Sequence, residues 1–165
     1  MNRSVRTALG VVAVTATFAI ATPRAAMASG HSTHRHWADF GHQTGTFNVN
    51  TFAVHLAGPF RAPGFGHGTT DSNEIGTTWS FSRGDALVDI FLNFTDATCI
   101  TCPADHPIPS RDIERVTGGT GRFTGATGWI STESCEHDSA PDANGDVHID
   151  FLHQTHGELT LHGDD

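Results

Sequence analysis

Lysine and tyrosine are both missing from this 165-residue sequence, and cysteine occurs only three times. Nine arginines are its only permanently basic side chains, and they do not form a cluster, whereas 18 residues are acidic. A net charge of −9 repels phosphate, which argues against non-specific nucleic-acid binding. Long apolar runs are also absent after residue 28, so no later segment has the roughly 20 apolar residues of a membrane-spanning helix.

Aromatic and turn-forming residues dominate what is present. The chain contains 11 Phe, three Trp and 18 Gly, and threonine is abundant, whereas good helix formers are scarce. Charged residues make up only 16% of the sequence, which is too low for a disordered chain with this much aromatic material. The composition therefore predicts a folded β protein.

The first 28 residues have the pattern of a secretory signal peptide. Arg3 and Arg6 precede an apolar run over residues 11–21, and Ala26-Met27-Ala28 offers a small-x-small cleavage site. The alternative, an uncleaved anchor helix, is disfavoured because this run is well short of the ~20 residues that cross a bilayer. We therefore expect cleavage near residue 29 and a secreted, extracellular protein without membrane association.

The remainder divides into a predicted tail and a predicted domain. Residues 29–43 are polar, rich in histidine and unpatterned, which predicts a flexible tail. From residue 44 to 165, short alternating runs follow one another, with a change of face at Phe52 that indicates a bulge and a Gly/Pro-rich loop over 58–68. The strongest run places apolar residues at 86, 88, 90, 92 and 94 on one face. Seven or eight such strands and no helical period predict an all-β fold, a small antiparallel barrel or sandwich.

One glycine-rich segment, residues 116–129, is the most informative stretch. Its glycines suit a chain that leaves a strand, turns tightly and enters the neighbouring strand, with an apolar side chain plugging the turn. A phosphate-binding loop is excluded because no Lys-Ser/Thr and no helical pattern follow. The residues that carry the motif are Gly118, Gly119, Gly121, Phe123, Ala126 and Gly128.

This segment resembles the GG-x-G-x-F-x-x-A-x-G signature of the allene oxide cyclase and dirigent barrels, including small secreted bacterial proteins of that type. The resemblance implies an up-and-down barrel. It also implies an activity to consider, because allene oxide cyclases isomerise a fatty-acid epoxide inside an apolar barrel and dirigent proteins steer the coupling of phenolic radicals. The signature glycines are structural, so the resemblance assigns no catalytic residue in this chain.

The cysteines predict one disulfide. An exported chain meets oxidising conditions, and Cys99, Cys102 and Cys135 allow three pairings that leave one thiol. A bridge from Cys99 or Cys102 to Cys135 would attach their loop to a later strand. The alternative is a structural zinc site, for which His137 would supply the fourth ligand.

Histidines supply the other candidate site residues. His153 lies on the otherwise apolar face of the last strand, which would point it into the barrel as a general acid or base, and His55 and Glu133 are similarly placed candidates. His31, His34 and His36 could together chelate a transition metal, although a solvated polar segment is the simpler interpretation.

Three functions remain open on sequence alone. The first is a secreted barrel that binds a small hydrophobic molecule or serves as a stable extracellular module. The second is an isomerase or cyclase that acts on a hydrophobic substrate inside the barrel, and the third is a metal-handling protein. We expect no cofactor, and the sequence leaves the oligomeric state open.

Overall fold

The computed structural model describes residues 32–96 and 100–162, with only the backbone described for residues 95 and 96. The predicted signal peptide over residues 1–28 lies outside the described residues, as do His31 and Cys99. Within the described part of the chain, no helix is long and apolar enough to cross a membrane.

The described chain forms a meander of strands with one short 3₁₀ helix. The strands are β1 (Ser32–Asn48), β2 (Val54–Ala62), β3 (Gly66–Asn73), β4 (Thr77–Phe81), β5 (Ala86–Asp96), β6 (Ile108–Thr120), β7 (Thr127–Asp138) and β8 (Asp146–His162), and the 3₁₀ helix is Gly121–Phe123.

Each strand pairs antiparallel with the next, and β1 pairs with β8 to close the barrel. The closing ladder is long, running from Ser32 opposite His162 to Asn48 opposite Asp146. Within residues 32–96 and 100–162, closure leaves no unpaired edge strand, which protects the sheet from pairing with other chains. The predicted all-β, eight-stranded up-and-down barrel is therefore confirmed.

The prediction of a flexible tail over residues 29–43 is wrong for residues 32–43, which belong to β1. Its histidines and other polar side chains alternate with buried residues, because His36 and Phe40 point outward while Trp37 and Asp39 point into the barrel. With an acidic residue among its inward positions, the segment has no apolar face, and its period of two was therefore not recognised.

The predicted loop over residues 58–68 is also wrong, since most of it lies in strands β2 and β3. Glycine belongs in these strands because the backbones pack closely: a Cβ on Gly58 would lie 1.9 Å from the His42 carbonyl oxygen. The expected bulge at Phe52 is a turn between β1 and β2, in which Phe52 takes a φ of 61°.

Aromatic side chains fill one end of the barrel. Trp37, Phe60, Trp79 and Phe81 pack against one another there, with ring centroids such as those of Phe60 and Phe81 5.1 Å apart. Phe123, fully buried, closes this end from the turn between β6 and β7. Aromatic pairs of this kind add to the free energy gained from burial alone.

The glycine-rich motif forms this closure as predicted. Gly118 and Gly121 have positive φ values of 140° and 58°, which lets the chain leave β6 and turn through the 3₁₀ helix. Phe123 and Ala126 then lie in the apolar core, with exposed fractions of 0% and 1%. Gly128, at a φ of 151°, begins the return along β7, where a Cβ would lie 2.1 Å from the Glu158 carbonyl oxygen.

The apolar alternation of β5 lies mainly on the outside of the barrel, contrary to the expectation that apolar strand faces line the interior. Leu87 and Asp89 are the buried residues there, while Val88 and Ile90 are half-buried on the opposite face and Leu92 is 55% exposed. Register shifts between β5 and β6 add to the irregularity. As a result, the middle of the barrel is polar.

Candidate functional site: an acidic layer inside the barrel

A layer of buried acidic side chains lies next to the aromatic end of the barrel. Strand alternation places them inside, because each is two residues from another inward-facing position, as Asp39 is from Trp37 and Asp89 from Leu87. We call these residues the acidic layer. They are Asp39 on β1, Asp89 on β5, Asp112 and Glu114 on β6, and Glu136 on β7, together with His153 on β8.

Asp39 and His153 lie side by side in the interior, across β1 and β8. His153 Nε2 lies 3.2 Å from Asp39 Oδ1, and neither side chain has any exposed surface. The other carboxylate oxygen, Asp39 Oδ2, accepts hydrogen bonds from the Trp37 indole N–H at 2.7 Å and from the Thr155 hydroxyl. These donors fix the carboxylate, so His153 faces an acceptor of defined position.

Asp89 is held by the neighbouring strand β4. Its Oδ2 accepts the Trp79 indole N–H at 2.5 Å, and its Oδ1 accepts the Thr77 backbone N–H at 2.9 Å. Both buried indoles of this region therefore donate to carboxylates of the acidic layer, one to Asp39 and one to Asp89. The aromatic end and the acidic layer are thereby connected.

The remaining acids lie on β6 and β7. Glu114 accepts the Thr132 hydroxyl at 3.1 Å through Oε1, and Glu136 accepts the Ser110 hydroxyl, which also contacts Ser134. The surrounding side chains are short hydroxyl groups, which leave the carboxyl groups as the largest polar features of this layer.

Burial and mutual repulsion raise the pKa values of these carboxyl groups. Removal from water raises the pKa of Asp112 to about 7, with further contributions from the charges of Glu136 and Asp89. Burial likewise raises the pKa of Asp89 to about 6, although its hydrogen bonds from Trp79 and Thr77 oppose the rise. The pKa of Glu114 is raised well above its usual value by burial and by Asp89. Asp89, Asp112 and Glu114 therefore keep their protons to a higher pH than exposed carboxyl groups do.

Several polar atoms of the layer lack a hydrogen-bond partner within the described chain. They include Asp112 Oδ1 and His153 Nδ1, both on side chains that are at least nine-tenths buried. A buried polar atom left unpaired costs about 1–3 kcal/mol, so a fold selected for stability alone would not collect them. These atoms are the polar groups of the interior whose hydrogen-bonding capacity the described chain leaves unused.

Apolar residues lie on the far side of the acidic layer, toward the end opposite the aromatic plug. Leu56, Val147 and Phe151 are buried there but are not part of the aromatic core cluster. The order of β8 shows the arrangement: Val147 and Phe151 come first, then His153, and finally Leu159 in the aromatic end. The acidic layer thus lies between two apolar layers.

The predicted catalytic candidates separate into one inside the barrel and two outside. His153 faces the interior, as its strand position predicts. The expectation that His55 and Glu133 are similarly placed is wrong. The His55 side chain is 70% exposed beside Asp71, and Glu133 pairs with Arg111 on the outer surface. Both residues occupy the outward phase of their strands, which a face assignment without the strand register could not establish.

The cysteines form the predicted single bridge, between Cys102 and Cys135 with a Cα–Cα distance of 5.6 Å. This bridge attaches the loop before β6 to the outer face of β7, and a zinc site that uses these two thiolates is thereby excluded in the oxidised protein. Of the candidate metal ligands near the N-terminus, His34 and His36 are exposed on β1 and contact Thr160 and Glu158.

Sequence reasoning missed the acidic layer. A signal was present in β6, where Ser110, Asp112, Glu114 and Val116 share one phase of the strand and Ile113 occupies the other. Val116, at the start of the glycine motif, faces inward, and every second residue before it on β6 faces the same way. Asp112 and Glu114 could therefore have been assigned to the interior from their spacing to the motif. Charged residues usually face solvent, and applying that rule to Asp112 and Glu114 places them on the wrong face of β6.

Comparisons with known proteins identify similar folds only. No protein-family model matches the sequence, and no curated protein matches it. Two similar solved structures are the pterocarpan synthase dirigent proteins GePTS1 and PsPTS1. GePTS1 is 15% identical, with 82% of this chain and 88% of that chain covered and a TM-score of 0.36. PsPTS1 is 16% identical, with 82% and 97% covered and a TM-score of 0.33. These scores are too low to support an argument about function, and the fold assignment rests on the strand pairing.

Proposed function

We propose that this protein is an exported barrel that binds a small molecule with an apolar body and an oxygen-bearing polar end. The observation that carries the proposal is the acidic layer, whose unpaired buried atoms lie between two apolar layers. Export is supported by the pattern of residues 1–28 and is compatible with the Cys102–Cys135 bridge, which forms in oxidising compartments.

The chemistry of the layer defines the ligand class. Protonated carboxyl groups donate hydrogen bonds, so Asp112 and Glu114 suit a carbonyl, hydroxyl or ether oxygen. The apolar residues Leu56, Val147 and Phe151 suit a hydrocarbon or aromatic body on the side opposite the aromatic end of the barrel. A binding site with an apolar lining and few polar groups is the usual form of a small-molecule site.

Native mass spectrometry of the protein secreted by an exporting host tests the proposal. We expect an organic adduct on the wild-type protein that is weakened by Asp112→Leu, because the Leu side chain can neither donate nor accept a hydrogen bond. Asp71→Asn is the matched control, since this carboxylate is 68% exposed on the outer surface and its loss should leave the adduct unchanged. A bare wild-type chain that also fails to bind any member of an uncharged ketone and phenol library would contradict binding and favour a structural module.

A second function, isomerisation or cyclisation of the bound molecule, is favoured by the pairing of an acid with a base. A protonated carboxyl group such as Asp112 can give its proton to a substrate oxygen, while the His153–Asp39 pair can accept a proton from a substrate carbon or hydroxyl. The proton balance closes within the site, because one proton enters the substrate and one leaves it. Such a reaction needs no external oxidant or reductant.

The two functions are separated by a single variant of the proposed base. His153→Gln keeps a polar side chain of similar reach but cannot act as a base near neutral pH. If the protein is an isomerase, this variant should bind the ligand identified by mass spectrometry and convert it at least about 100-fold more slowly, as is usual for the loss of a general base. Unchanged conversion would remove His153 from the mechanism, and absence of conversion in the wild-type protein would leave binding as the function.

A further inference from the structure

We propose a binding site for a divalent transition-metal ion on the outer surface of the barrel, formed by His42, His106 and Asp150. One ligand atom from each residue lies within 4.8 Å of the others. Both imidazoles present Nε2 to the same carboxylate oxygen, Asp150 Oδ1, with His42 in direct contact and His106 at 3.3 Å. The site lies outside the barrel and is separate from the acidic layer.

Three parts of the chain bring these ligands together. His42 is on the outward face of β1 and Asp150 on the outward face of the neighbouring β8, where their strands pair. His106 comes from the loop before β6, and its side chain is only 13% exposed. The strands fix two ligands rigidly, and the loop supplies the third from above the sheet.

The donor set selects the kind of ion. Two imidazole nitrogens and one carboxylate oxygen suit zinc, copper, nickel or iron, whereas calcium and magnesium prefer oxygen ligands alone. Three protein ligands also leave a coordination position for water or another small ligand. A groove of about 490 Å³ runs beside Asp150 and is lined partly by His137 and His148, so that position can face solvent.

Contacts within the loop and with β7 support His106. Its other ring nitrogen, Nδ1, lies 3.4 Å from the Asp105 carboxylate, which is the arrangement that orients metal-binding histidines in proteins. The Asp105 carbonyl oxygen also accepts a hydrogen bond of 2.7 Å from His137 on β7. The Cys102–Cys135 bridge attaches the same loop to β7, four residues before His106. The disulfide and the His137 hydrogen bond thus attach the loop to β7 at two points beside the proposed ion.

Isothermal titration with Zn²⁺ tests the site, using the protein with its disulfide formed. We expect one tight site in the wild-type protein and a loss of affinity well above tenfold in both His42→Ala and Asp150→Asn, since loss of a residue that only orients a ligand already costs roughly 10–100-fold. His42 and Asp150 are 48% and 44% exposed, so neither change should unfold the barrel, and circular dichroism checks this. Magnesium should not compete for the site.

The exposed histidines of β1 provide the matched control. His36 is 68% exposed on the same strand and is paired with Glu158, but it is not part of the cluster. His36→Ala should therefore keep the wild-type Zn²⁺ affinity. If His36→Ala reduces the affinity while His42→Ala does not, the ion binds adventitiously near the N-terminus and the proposal is overturned.

A thermal measurement adds an independent readout. A ligand that binds only the folded state raises the melting temperature, so Zn²⁺ should raise it in the wild-type protein and in Asp71→Asn but not in Asp150→Asn. Asp105→Asn should keep the site but weaken it, because it removes only the carboxylate beside His106 Nδ1. Equal Zn²⁺ stabilisation of the wild-type protein and Asp150→Asn would contradict the assignment.

Discussion

Replacing Asp112 by asparagine should stabilise the protein at neutral and alkaline pH and change its stability little in acid. Asp112 is only 6% exposed, and burial together with Glu136 and Asp89 raises its pKa from 3.8 to about 7. Ionisation of this side chain is therefore much harder in the folded protein than in the unfolded chain. The asparagine has nearly the same shape and never ionises.

The sign and size of the effect follow from the two pKa values of Asp112. Between 3.8 and about 7 the folded protein binds more protons at this position than the unfolded chain does. Its free energy of unfolding therefore falls as pH rises through this window and stays lower above it. A rise of about three pKa units, at ~1.4 kcal/mol each, corresponds to roughly 4 kcal/mol, which Asp112→Asn should recover at alkaline pH.

Urea unfolding at about pH 4, 6 and 8, without reductant, measures this difference. The stabilisation by Asp112→Asn should grow from near zero at the lowest pH to several kcal/mol at the highest. Asp71→Asn is the control, because its carboxylate is 68% exposed and should give a small difference at every pH. Histidine titration affects all three proteins similarly and cancels in the comparison.

A stability difference that does not change with pH would refute the reasoning, because it would mean that Asp112 ionises equally easily in both states. Destabilisation at alkaline pH would refute it in another way, by showing that the ionised carboxylate has a favourable partner. In either case the description of these acids as groups that keep their protons to a higher pH would fail.

Three further predictions use other parts of the barrel. Trp129 is 45% exposed, and the first prediction uses a protein in which it is changed to phenylalanine. The fluorescence of the buried indoles should then change with a midpoint near pH 6 as Asp89 ionises beside Trp79, and Asp89→Asn should abolish the change. Phe123→Ala should cost about 3–5 kcal/mol in urea unfolding because it empties the plug, whereas Phe52→Ala, at a side chain that is 54% exposed, should cost far less. Cys102→Ser should lower the free energy of unfolding by roughly 3–4 kcal/mol, because the bridge closes a loop over a sequence separation of 33, and equal stability of the two proteins would contradict this.

The sequence predicted the barrel because its signals for β structure agree along most of the chain. Apolar residues alternate with period two in β4, β5 and β8, and the glycine motif marks the turn between β6 and β7. Each of these signals lies within a single segment, so the sequence of that segment is enough to reveal it. The strand pair β2–β3 was missed because its glycines are required by contacts with other strands, as at Gly58 and Gly68. That requirement exists only in the assembled sheet, so the segment by itself has the composition of a loop.

The candidate site was less predictable for a related reason. His153 could be placed inside because its neighbours on β8 are apolar, and the structure agrees. The acids on β5 and β6 could not be placed in the same way, since β5 directs half-buried Val88 and Ile90 outward and Asp89 inward. An inverted pattern of this kind reverses the ordinary assignment of faces.

This inversion is itself an argument that the acidic layer has a role. A barrel of this size can be filled with apolar side chains, as its aromatic end shows, and such filling avoids the cost of raised carboxyl pKa values. The apolar residues needed for that filling are present in β5 but face outward. Stability alone favours the opposite orientation, and the buried acids therefore support the proposal that this layer binds a ligand or transfers protons. If Asp112→Asn both stabilises the protein and abolishes binding of the molecule, this one variant would show that the buried acid serves binding at the expense of stability.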